Sequence, residues 1–72
     1  LEVSLYPNPV RDILNIETVL DIQSVEIYNI QGQKVLTSNQ KQINVSGLAT
    51  GMYVVRIQDA ENNISTKKIV IK

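Results

Sequence analysis

Seventy-two residues make one small domain with a thin core, because a chain of this size buries only about 60% of the surface that its unfolded form exposes. Seven basic residues balance seven acidic ones, which argues against a general binder of nucleic acid or of an anionic membrane. The absence of cysteine and histidine removes disulfides, cysteine zinc sites, thiol nucleophiles and the usual general base.

The hydrophobic pattern has period two from end to end, the mark of strands with one buried face. Val3 and Leu5 alternate with Glu2 and Ser4. Then comes Tyr6-Pro7-Asn8-Pro9. Each proline fixes φ and removes a donor, and each pushes the residue before it out of the helical region. Such a stretch ends an edge strand and carries the chain onward. As a polyproline ligand it is weak, since two prolines two apart make no PxxP.

Leu14 and Ile16, then Val25 and Ile27, continue the alternation, with Asp21-Ile22-Gln23 read as a connection between them. Asn29-Ile30-Gln31-Gly32 fits a type I turn, with Gly32 in the left-handed position, and a short strand at Lys34 and Val35 follows. Ile43 and Val45 give a further strand. In the loop Ser46–Gly51, Leu48 is expected to plug the end of the fold. Gly51 is expected to open the longest strand, Met52 to Asp59, in a central position with Tyr53 buried and Tyr28 outward. The turn Asp59–Asn63 offers an asparagine for a positive φ. Thr66–Lys72 is a β-branched end with lysines on its flanks. About seven short antiparallel strands with turn chemistry between them predict an all-β, immunoglobulin-like β-sandwich.

Little here can do chemistry. Glu17, Glu26, Asp59 and Glu61 read as solvent-facing carboxylates rather than an acid–base pair. Asp59, Glu61 and Asn62 are too few for a calcium site. Gly47 and Gly51 lack the Lys-Ser/Thr step of a phosphate loop. No catalytic, metal or cofactor residue is predicted. Tyr28 and Tyr6 could serve a carbohydrate platform only thinly. No apolar run reaches the ~18 residues of a membrane span. Leu1 is not an initiator methionine, so residues 1–72 are expected to be a single domain cut from a longer protein.

Four segments together resemble a known family. They are Tyr6-Pro7-Asn8-Pro9, Val25 to Val35, Leu48 to Ile57, and Lys67 to Lys72. In this order and spacing they are similar to the type A C-terminal sorting domain of the type IX (Por) secretion system. That family is typified by a "YPNP" opening, a "Y-D-x-x-G-K-x-V" hairpin, an "L-x-x-G-x-Y" strand and a lysine-flanked hydrophobic end. Asn29 stands where an aspartate is usual, and Gln33 where a glycine-lysine step is common. Both departures keep the turn chemistry.

The resemblance implies an immunoglobulin-like sandwich that is a signal, not an enzyme. Cargo would reach the periplasm and be carried through the outer membrane by the type IX translocon and its shuttle. A sortase would then cut upstream of Leu1 and leave cargo at the cell surface or outside it. The resemblance makes Lys68, Ile69, Val70, Ile71 and Lys72 the first recognition candidates, then Lys34, Gly32, Gly51 and Tyr53. Tyr6, Pro7, Asn8 and Pro9 would shape the fold. Partners would be the secretion machinery, with no nucleic acid and no membrane insertion. So thin a domain with an exposed terminal strand is also expected to form a homodimer through sheet edges. A plain spacer or a small carbohydrate-binding module remain alternative readings.

Overall fold

The computed structural model describes residues 3–72; Glu2, placed above in the first alternating stretch, lies outside the described residues with Leu1. Seven strands follow one another: β1 (Ser4–Tyr6), β2 (Ile13–Glu17), β3 (Ile22–Asn29), β4 (Lys34–Ser38), β5 (Gln42–Asn44), β6 (Gly51–Asp59) and β7 (Ile64–Ile71). All strand pairs are antiparallel, and among the described residues there is no helix. They form a three-stranded sheet in the order β1-β2-β5 and a four-stranded sheet in the order β4-β3-β6-β7. The architecture is a β-sandwich, as the alternation predicts.

Alternation decides what is buried. Leu14 and Ile16 of β2 and Ile43 of β5 face Val25 and Ile27 of β3, Tyr53, Val55 and Ile57 of β6, and Ile69 and Ile71 of β7 within one core. Leu48 packs against this core from its loop, as expected of a plug. β6 is the longest strand and lies between β3 and β7.

The turns follow their chemistry. Asn29 Oδ1 accepts the N–H groups of Gln31 and Gln33, and the Gly32 N–H donates to the Asn29 carbonyl. Gly32 has φ of 85° and Gly51 of 153°, and an added Cβ would meet nothing within 4 Å at either. Their requirement for glycine is therefore conformational rather than steric. Asn62 takes the positive φ of the β6–β7 turn.

Several boundaries differ from the sequence reading: β1 starts after Val3, β4 runs on to Ser38, and β5 ends at Asn44 and leaves Val45 outside it. β3 begins at Ile22, not Ser24, with a register irregularity between Ile22 and Ser24. That irregularity interrupts the alternation, so Ile22 looks like part of a loop. β7 begins at Ile64, where Ile64 and Ser65 pair with Gln58 and Ile57.

Candidate functional site

The first and last motifs of the chain meet in space. Residues 7–12 leave the three-stranded sheet after β1 and pass along the outer edge of β7. There the Val70 N–H donates to Asn8 Oδ1 (3.0 Å), the Val10 N–H to the Val70 carbonyl (2.8 Å) and the Lys72 N–H to the Val10 carbonyl (2.9 Å). Val10 forms a parallel bridge with Ile71 and is fully buried. The Tyr6–Pro7 and Asn8–Pro9 peptide bonds are both cis. Tyr6 itself is exposed at the end of β1, and its carbonyl accepts the Asn15 side-chain amide. The segment thus ends an edge strand, as read from its prolines, and then does something the prolines hide. It supplies the ladder partner for the end of the opposite sheet.

This arrangement divides the candidate residues Lys68 to Lys72. Ile69 and Ile71 are each 1% exposed and belong to the core. Val70 is half-buried on the outer face and is bonded through both its backbone groups. Only Lys68 and Lys72 are exposed. Lys72 lies beside Pro7, Pro9, Arg11, Asp12 and Ile13 around a shallow hollow at this end of the sandwich.

Lys34 and Lys68 share a face. The strand registers place Lys34 opposite Tyr28, Tyr28 opposite Val54, and Val54 opposite Lys68, in one row across the outside of the four-stranded sheet. Three strand spacings separate the lysines, roughly 14 Å. In the next row Glu26 stands opposite Arg56, and Arg56 opposite Thr66. Glu26 accepts from Arg56 at 2.8 Å, from the Tyr28 hydroxyl at 3.1 Å and from Lys34 at 3.3 Å. The Arg56 hydrogen bond, then those of Tyr28 and Lys34, hold the Glu26 carboxyl below its ordinary range. Glu26 is therefore not the free solvent-facing carboxylate expected from its strand position. It pins Lys34, so that Lys68 is the more available end of the row.

The remaining candidates have structural occupations. Gly32 and Gly51 meet backbone needs. Tyr53 is buried and its hydroxyl donates to the Ala49 carbonyl at 2.7 Å, tying the Ser46–Gly51 loop to β6. Asp59, read as solvent-facing, is 2% exposed. It falls in the inward phase of β6, and its carboxylate accepts the N–H groups of Glu61 and Asn63 and the Asn63 side-chain amide. The side-chain bond from Asn63 is the main reason its carboxyl sits below the ordinary range. Tyr6 and Tyr28 lie on different sheets and build no common platform.

Charge is also divided. Five of the seven basic residues, Lys34, Arg56, Lys67, Lys68 and Lys72, lie on the four-stranded sheet or at its end. The acids on its strands are Glu26 and Asp59, both already engaged. Zero net charge thus conceals a polarised domain.

Residues 4–72 match the sequence model of the family described as "Secretion system C-terminal sorting domain". The chain belongs to this family of type IX secretion sorting domains. The sorting domain is a non-catalytic tail, and it implies export to the cell surface or the extracellular space. The chain is also 33% identical, over 97% of its length, to a protein of Zobellia galactanivorans named beta-agarase D. It spans only 15% of that relative's length.

Proposed function

We propose that this sorting domain is the detachable tail of a longer secreted protein. It takes a cargo that has reached the periplasm through the outer membrane, engaging translocon, shuttle and sortase, and is cut away upstream of Leu1. The observation that carries the reading is the family match over residues 4–72. The beta-agarase relative favours an enzyme acting outside the cell as the kind of cargo. Recognition is assigned first to Lys68 and Lys72, which are exposed at the two ends of the stretch Lys68–Lys72, Lys68 on the open edge of β7 and Lys72 at the seam where the two terminal motifs join.

The test is a reporter with a periplasmic export signal fused ahead of this domain. It should reach the surface in cells with a working type IX system and stay inside cells without one. Deleting Ile69 to Lys72 is a poor probe, because it removes two core side chains and unfolding alone would stop export. Lys68→Glu with Lys72→Glu leaves the core intact and should cut surface delivery severalfold. Undiminished delivery by the double variant would remove these lysines from recognition. Equal surface delivery with and without the machinery would sink the reading itself.

A further inference from the structure

The edge of β7 is open over only part of its length. In a strand, successive residues send their N–H and C=O groups to opposite edges. The groups of Val70 point away from β6, towards Asn8 and Val10. The pairing of β6 with β7 runs without irregularity from Ile64 to Ile71. Thr66 and Lys68 therefore point their N–H and C=O groups outward as well. Among the described residues these groups have no partner. Residues 8–10 occupy the edge beyond them, so the open stretch spans Ile64–Lys68, about 17 Å of strand.

The flanks of this stretch are cationic on both faces. Lys68 lies on the outer face with Val54 and Val70, and Lys67 on the other with Ile69 and Ile71. Lys67 is exposed even there, since β7 is the margin of its sheet. β7 carries no acidic residue. A strand laid along the edge would thus have an ammonium group on each side of its backbone.

We propose that Ile64–Lys68 is a docking edge for an extended acidic segment of another protein. The segment adds as a fifth strand beside β7 and carries adjacent acidic residues, one turned to Lys67 and the next to Lys68. Backbone bonds to Thr66 and Lys68 supply attachment, and the paired charges supply choice of partner. A second copy of this chain is the poorer occupant. Antiparallel registers that set Lys67 or Lys68 against its own counterpart place like charges directly opposite, which is destabilising. The lysines therefore guard the edge against self-pairing while leaving it open to an acidic strand. The inference deepens the sorting reading by giving one partner's chemistry. Peptide binding in solution and reporter export in cells are separate readouts, so either can fail without the other.

The experiment is a titration of the nitrogen-15-labelled chain with the blocked peptide Thr-Val-Glu-Asp-Val-Thr, followed by amide spectra and hydrogen exchange. Saturable shifts should centre on Thr66 and Lys68, whose amides should exchange more slowly. A peptide with lysines for its acids, or with N-methyl groups on one edge, should bind at least about tenfold more weakly. The chain carrying Lys67→Glu and Lys68→Glu should lose the acidic peptide and gain the lysine one, with its dispersed spectrum showing that it is folded. Thr66→Pro, which removes an outward N–H from an edge position, should weaken both. The proposal is overturned by any of three results: no saturable shift up to about 5 mM peptide, shifts centred on β4, or equal binding by the charge-reversed chain. Concentration-dependent dimerisation that shifts Thr66 and Lys68 without peptide overturns it in favour of a second copy.

Discussion

The two halves of β7 share one strand and one partner, β6, yet they live under different physics. From Ile69 to Ile71 the inward side chains are core and the outer edge is stitched to Asn8 and Val10. From Ile64 to Lys68 only Ser65 is part-buried, and the outer edge has no strand beside it. The first half holds the sandwich together; the second presents backbone and charge to the surroundings. A single hydrophobic, lysine-rich end can thus do two jobs without conflict, because they fall on successive segments.

The largest contrast between the halves should appear in stability. Ile69→Ala or Ile71→Ala is expected to cost ~2–5 kcal/mol, while Lys67→Ala or Lys68→Ala should stay within ~0.5 kcal/mol. Urea denaturation measures both, and a costly lysine variant would erase the division. Tyr53 stands opposite Ile69 and anchors the buried half through its hydroxyl. Tyr53→Phe should cost about 1 kcal/mol by leaving the Ala49 carbonyl without that donor.

A smaller effect is expected at the seam. Asn8→Ala removes one exposed hydrogen bond, about 0.5 kcal/mol. It should speed hydrogen exchange at Val70 and leave Thr66 unchanged. Similar changes at both amides would mean that the seam does not set the boundary.

Acid should act most gently, and next to the open half. Glu26, whose partner Arg56 stands opposite Thr66, and Asp59 both have carboxyls held below their ordinary values of 4.5 and 3.8. A lowered folded pKa stabilises above the unfolded value and loses that contribution as pH falls through the folded one. Denaturation midpoints should hold steady from about pH 7 to about pH 5 and decline below. Glu26→Gln and Asp59→Asn should each flatten part of the decline.

Most of the strand framework was legible because it is local. Val25 and Ile27, or Tyr53, Val55 and Ile57, announce a buried face by spacing alone. Asn29 with Gly32, and Asn62, announce turns by residue type. What escaped depends on distant partners. Val10 is one valine after two prolines, and nothing beside it tells of Val70. Glu26 reads as a surface acid until Arg56 and Lys34 are brought alongside. Asp59 could have been read from its inward phase and its place at the head of a turn. For recognition, Lys34 and Lys68 fall in one row only once strand order is known. The alternation of Ile69 and Ile71 with Lys68, Val70 and Lys72 marks a buried face. Nothing in it tells that the outer edge there is already bonded to Asn8 and Val10.

The stitch between Val10 and residues 70–72 also bears on when the domain can finish folding. A residue near the chain's beginning waits for the carbonyl of one synthesised sixty positions later. A chain broken off before Val70 would leave the buried Val10 N–H without its acceptor and the end of the core uncovered. Closure of the sandwich is thus a long-range event, complete only when the segment around Val10 and residues 70–72 are both present.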